Sequence, residues 1–141
     1  MGSDKNVISF VDVRKMAVEK TKAMPCDVNE MGWTKTGDLF FVTTGLGTVS
    51  VMSAATLEDV YTVQAHTANC YCLDFDPTGR YFAVGGADAL MSLWDLREFA
   101  CIRTMNRLEW PVRALGFSYD GTVLAAASED LVIDLVGPKI K

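Results

Sequence analysis

Gly37, Gly79 and Gly121 are separated by 42 residues at each step. A constant interval of about 40–45 residues means that one structural unit recurs along the chain. The frame holds on both sides of each glycine. Four residues before stand Trp33, Phe75 and Phe117, and two residues after stand Leu39, Tyr81 and Val123. Nine positions after come Leu46, Asp88 and Asp130, and three beyond those Val49, Met91 and Ile133. Units of this size cannot bury a core alone, so a chain built from them must stack them in series.

The central unit shows what is repeated. Asn69–Phe75 is rich in aromatic and small apolar residues and reads as a strand. Asp76-Pro77-Thr78-Gly79 is a turn, because proline presets φ and glycine tolerates positive φ. Tyr81–Gly85 is almost continuously apolar, as a strand covered on both faces should be. Ala87-Asp88-Ala89 supplies a second turn, Leu90–Trp94 a third strand, and Phe99–Arg103 a more polar, exposed fourth. Four short strands joined by tight turns make one antiparallel sheet. Turn residues recur too often for a helical stripe to survive. The helix-compatible piece is Lys15–Lys22, which equally suits an outer strand or a loop.

The same template predicts strands over Val28–Trp33, Leu39–Thr44, Thr48–Met52 and Glu58–Val63, and over Val112–Phe117, Val123–Ala127 and Leu131–Leu135. At the front, Ser9-Phe10-Val11-Asp12 matches Ser92-Leu93-Trp94-Asp95 at 83 residues, one short of two periods. The expected division is therefore a partial sheet over 1–25, whole sheets over 26–64 and 65–105, and a partial sheet over 106–141.

The net charge of −5 and pI near 4.7 argue against a broad phosphate-binding surface. Any RNA contact is expected to be indirect, through partners, or else to use a local patch that the average charge hides. No apolar run reaches the length of a membrane-spanning helix, and the first residues lack the pattern of a secretory signal. Cys70 and Cys72, two apart on one strand, should point to the same face, too close for a disulfide. With one histidine and no C-x-x-C pair, no zinc site is expected; the four cysteines, Cys26 and Cys101 included, read as reduced thiols of an intracellular protein.

Ala65-His66, the turn residue Asp88 and the pair Trp94-Asp95 resemble the signature of WD repeats, whose fold is a β-propeller. The resemblance implies a network in which the histidine, a Ser or Thr of the second strand, the aspartate and the tryptophan are hydrogen-bonded. His66, Asp88 and Trp94 are present, but the second strand offers Val84 and Gly86, so the hydroxyl is missing. The other units have Met52 and Val136 for Trp94, and the last has Leu108 for His66. The fold class expected is thus an all-β, partial WD-repeat propeller with two complete and two partial blades.

A narrower resemblance, to the THO complex subunit 3 family, covers nearly the whole chain. It rests on Phe75-Asp76-Pro77, Ala87-Asp88-Ala89-Leu90, Ser92-Leu93-Trp94-Asp95, Ala127-Ser128-Glu129-Asp130 and above all Arg107–Arg113, which contains Trp110-Pro111-Val112-Arg113. It implies a seven-bladed scaffold subunit of the nuclear THO/TREX assembly, which couples transcription to mRNA packaging and export. Partners would be other subunits of that assembly, with no cofactor, metal or small-molecule substrate and no membrane.

Catalysis finds little in the residues. The carboxylates Asp74, Asp76, Glu129 and Asp130 sit in or beside turns, where they cap amides, and Gly45-Leu46-Gly47 is a hairpin turn rather than a phosphate loop. Binding fits better, because propeller loops present rigid surfaces. Trp110, Pro111 and Arg113, with Tyr71 one period before Arg113, are the expected interaction residues. Trp110 equally suits packing between blades. Other readings are an adaptor of a ubiquitin ligase or chromatin complex, and a truncated product without function.

Overall fold

The computed structural model describes residues 6–129 and 133–136. The 42-residue period is the period of its turns. Gly37, Gly79 and Gly121 have φ of 78°, 82° and 77°, a region that side-chain-bearing residues enter at a cost. Each donates its N–H to the carbonyl three residues back, on Thr34, Asp76 and Ser118, at 2.9 Å in every case. A second set of turns is closed by Met16, Leu57 and Phe99, also at positive φ, bonded to the carbonyls of Asp12, Ser53 and Asp95. These are 41 and then 42 residues apart, which places the one-residue slip between the first unit and the second.

Between the turns, the described residues form thirteen strands: β1 (Asn6–Asp12), β2 (Ala17–Met24), β3 (Val28–Trp33), β4 (Leu39–Thr44), β5 (Thr48–Ser53), β6 (Asp59–Gln64), β7 (Cys70–Phe75), β8 (Tyr81–Gly86), β9 (Met91–Asp95), β10 (Cys101–Met105), β11 (Val112–Phe117), β12 (Leu124–Ser128) and β13 (Ile133–Val136). They form four antiparallel sheets in chain order: β1-β2, β3-β4-β5-β6, β7-β8-β9-β10 and β11-β12-β13. Lys15–Lys22, left open between helix, strand and loop, falls mostly in β2, whose partner is β1. Of the third strand of the last unit, Ile133 onward is described; Asp130 and Leu131 lie outside the described residues.

Consecutive sheets meet along their first strands, β3 against β7 and β7 against β11, and through the second strands behind them. The outer strands β6 and β10 are mostly exposed. The result is a radial stack, with each sheet covering the next. Phe41 of β4 meets Phe75 and Phe82 edge-on at 5.0 Å, and Phe82 stacks on Trp94. Phe41 and Phe82 are fully buried, and each such side chain is worth roughly 1.5–3 kcal/mol. On the other side of β8 and β9, Cys72, Ala83, Met91 and Leu93 form a core with Val112, Leu124 and Ala126.

Cys70 and Cys72 do not share a face. Cys70 lies in the core towards the second sheet and Cys72 in the core towards the last. The pairing Cys70↔Gly86 followed by Cys72↔Gly85 leaves Tyr71 as an extra residue, a β-bulge, and the alternation restarts after it. Burial pushes both thiols up to about 12. All four cysteines are free.

The inner edges of the first strands carry amides that their own sheets do not bond. Carboxylates of the preceding sheet take them: Glu30 Oε1 accepts the Leu73 N–H at 3.1 Å, and Asp74 Oδ2 accepts the Phe117 N–H at 2.9 Å. Burial raises the Glu30 carboxyl above its usual range; the Leu73 amide opposes this and Asp74 adds to it. A carboxyl with a raised folded-state pKa binds more protons folded than unfolded, so it subtracts stability as pH rises through that window. Glu30→Gln keeps an acceptor for Leu73 but not the charge. The difference in Tm between the variant and the parent should therefore grow in favour of the variant from pH 4 to pH 7, as read by thermal melts; a pH-independent difference would refute this.

Candidate functional site

His66 enters from the loop between β6 and β7, Asp88 from the turn between β8 and β9, and Trp94 from β9. His66 Nδ1 lies 2.9 and 3.0 Å from the two carboxylate oxygens of Asp88. The missing hydroxyl is supplied from the third strand rather than the second: Ser92 Oγ is 3.0 Å from His66 Nε2 and accepts the Trp94 indole N–H at 2.7 Å. The network is closed, which corrects the expectation of a gap. It assigns the proton of His66 to Nδ1, facing Asp88, and lets Ser92 donate to Nε2. Leu90 N–H adds a bond to Asp88.

This arrangement has the connectivity of a serine–histidine–aspartate triad. Its nucleophile, however, is 2% exposed and spends its oxygen on the indole N–H, and the histidine is 5% exposed. What it does is lock the loop before β7, the β8–β9 turn and β9 into one body. Sequence reasoning missed Ser92, although the period marks it, since Ser50 stands one unit earlier and Ser9 at the slipped position before that. In the neighbouring units apolar residues take these places. Met24 and Met52 share one core cluster, and Leu108 is buried in another.

A second constellation lies on the inner rim. All three first strands of the complete pattern carry a bulge at the same place: the pairings skip Asn29, Tyr71 and Arg113, which are successive at 42-residue steps. A bulge re-aims its side chain, and the three fall in one row across the sheets. Asn29 Nδ2 reaches Asn69 Oδ1 and the Cys70 carbonyl of the next sheet. The Arg113 guanidinium sits over the Tyr71 ring at 4.1 Å and pairs with Glu129 at 2.5 Å. Tyr71 and Arg113, expected separately, are thus in contact. Asn29 and Glu129 complete the row and were not foreseen as part of it. Trp110 stands 52% exposed on the loop before β11 rather than buried between the described sheets. Its neighbour Pro111 offers its carbonyl to the Glu129 N–H at 3.1 Å, so Trp110-Pro111 is fastened beside the Arg113–Glu129 pair. Among the described residues no group of three or more His, Cys, Asp or Glu is placed to hold a metal ion.

The WD domain, G-beta repeat family matches residues 57–95 and 99–133, more than half of the chain. The chain belongs to the WD-repeat family. This WD-repeat chain is 50% identical over 135 residues to THO complex subunit 3 of Arabidopsis thaliana, covering 96% of itself and 43% of that protein. It is 35% identical over 99 residues to WD repeat-containing protein AAC3 of Dictyostelium discoideum, covering 67% of itself and 21% of the relative. With eukaryotic translation initiation factor 3 subunit I of Candida albicans it shares 27% identity over 105 residues, 74% of this chain and 30% of the relative. The WD-repeat chain thus spans less than half the length of these relatives.

Ser92→Ala would strand the His66 Nε2 and the Trp94 Nε1–H in the interior. Each buried orphan costs about 1–3 kcal/mol, so the variant should lose roughly 2–4 kcal/mol in denaturant melts. A double-mutant cycle with Trp94→Phe should return a coupling of about 0.5–3 kcal/mol. A cost within experimental error of zero would mean that the hydroxyl does not hold the network.

Proposed function

We propose that this chain is a non-catalytic scaffold element of a THO-type assembly, acting in the nucleus in the packaging and export of mRNA coupled to transcription. The observation that carries the reading is the 50% identity to THO complex subunit 3 across 96% of the chain. The inner-rim row gives it a physical means. Tyr71 and Arg113 are held by each other and by Glu129, so little side-chain entropy is lost when a partner docks on them. Trp110 adds an exposed aromatic beside them, and Trp, Tyr and Arg are the side chains that most often anchor interfaces. The partners would be other protein subunits of the assembly, and RNA would be reached through them.

The 27% identity to a translation initiation factor subunit supports a second reading, a WD-repeat adaptor of a different multiprotein assembly. Affinity purification of the tagged chain from nuclear extract separates the two. Recovery of THO subunits is expected under the first reading, and their absence would sink it. Against a purified THO subunit that binds, Trp110→Ala or Arg113→Ala should weaken affinity about thirtyfold, the equivalent of losing a hot spot worth about 2 kcal/mol. Unchanged affinity in both would move the docking surface away from the rim.

A further inference from the structure

The turns between third and fourth strands are built alike, but their charges differ. In the first sheet Asp12 accepts the N–H groups of Arg14 and Lys15, and in the third Asp95 accepts those of Arg97 and Glu98. The second sheet has Ser53 in the aspartate's place, accepting the Thr56 N–H at 3.4 Å. Just before the positive-φ residues Met16, Leu57 and Phe99 stand Lys15, Thr56 and Glu98. The middle turn thus carries a neutral hydroxyl where the next unit carries a carboxylate. We propose that Thr56 is a phosphorylation site, and that Lys20 and Lys22 of the neighbouring sheet receive the phosphate.

The receiving groups are already in place. Lys20 Nζ donates to the Ala55 carbonyl at 2.9 Å and Lys22 Nζ to the Leu57 carbonyl at 2.8 Å. An ammonium group therefore sits on the carbonyl of the residue on each side of Thr56. Lys22 is also 3.7 Å from Asp59, whose side chain is 71% exposed; among the described residues no carboxylate is paired with Lys20. A neutral carbonyl is a weaker partner for an ammonium than a phosphate, which brings a charge of about −1.5 to −2 and three acceptor oxygens. The four-carbon stems let both lysines follow it. Glu58 and Asp59 repel the phosphate, but both are exposed, where water and salt screen them. At the next junction the corresponding contact is aromatic, Tyr61 stacked on Phe99 at 5.0 Å. The seam beside Thr56 is held by charged groups instead, so an added charge can tighten it.

The hydroxyl is available for transfer. Thr56 is exposed, and its Oγ1 accepts the Glu58 N–H at 3.3 Å without donating its own proton. A protein kinase would move the γ-phosphoryl group of a nucleoside triphosphate onto it. The bond from phosphorus to the diphosphate leaving group breaks, the Oγ1–P bond forms, and the hydroxyl proton passes to the kinase's catalytic base. Glu58 and Asp59, two and three residues on, suit a kinase whose substrate groove is basic. β3 and β5 run in the same direction, since each is antiparallel to β4. Thr56 follows the end of β5, whereas Asn29 stands at the start of β3. The site and the rim row are thus at opposite ends of the strands, and a phosphate on one leaves the other untouched.

The experiment treats the whole chain with magnesium, ATP and a protein kinase selective for hydroxyls followed by carboxylates. Peptide mass spectrometry should find a phosphoryl group on Thr56. The modified chain should melt about 3 °C or more above the unmodified one at low salt, a gain that Lys20→Gln combined with Lys22→Gln removes. In phosphorus NMR the second ionisation of the phosphate should fall below its ordinary value of about 6 in the parent, and move back towards it in Lys20→Gln alone. That measurement decides the matter if the double variant does not fold. No phosphate on Thr56, a modified chain that melts no higher, a gain undiminished without the lysines, or a phosphate ionisation that is ordinary in the parent or indifferent to Lys20 would each overturn the proposal.

Discussion

A sheet of four strands, each five or six residues long, has two faces and almost no interior of its own. Here the β7–β10 sheet is covered on both faces by its neighbours, while the β3–β6 sheet is covered on one face by the third sheet and only in part on the other by β1-β2. The buried runs of β4 and β8, the interlocked rings of Phe41, Phe75 and Phe82, and the core of Met91, Leu93 and Leu124 all belong to contacts between units rather than within one. Stability in such a stack is mainly a nearest-neighbour quantity. The tight turns matter because they keep each sheet narrow enough, and in the right register, to be covered by the next.

Polar groups inside the stack are handled in two ways. In the third sheet four side chains bond in a closed set, His66, Asp88, Ser92 and Trp94. In the sheets on either side the corresponding places are taken by Met24, Met52 and Leu108, which pack as hydrocarbon and need no partners. Both solutions satisfy the requirement that nothing polar be buried unpaired. They differ in tolerance. A methionine cluster accepts small changes of shape, whereas a polar set fails as a whole when one member is removed.

The turns were legible in the sequence because their chemistry is local. A glycine at positive φ with an Asp, Ser or Thr three residues earlier declares itself without reference to the rest of the chain, and the strands between such turns follow to within a residue or two. The bulges were not legible. Nothing in Asn29, Tyr71 or Arg113 as residue types marks an unpaired position, since a bulge is a property of two strands in register. The consequence at Cys70 and Cys72 was an alternation read straight through a point where it restarts. The same gap hid the contact between Tyr71 and Arg113, although each had been singled out. Ser92 was missed for another reason. The hydroxyl was sought on the second strand, where the family pattern puts it, while the geometry needed only an oxygen between the histidine and the indole.

The carboxylate links between neighbouring first strands have a consequence for how the stack is ordered. Both links span 43 residues, yet they occupy different rungs: Glu30 serves the amide of Leu73, while Asp74 serves that of Phe117, two positions further along its strand in the repeat frame. At the rung where the second sheet has Glu30, the third has Cys72, and at the rung where the third has Asp74, the second has Gly32. Gly32 leaves room for the Phe75 ring, which would lie 2.8 Å from any added Cβ. Each sheet therefore carries a different key for its successor. Stacked out of turn, a sheet would lose its link or meet a ring where it needs space. Units alike enough to share one fold are thus told apart while the chain assembles, by one hydrogen bond whose height along the strand changes from junction to junction.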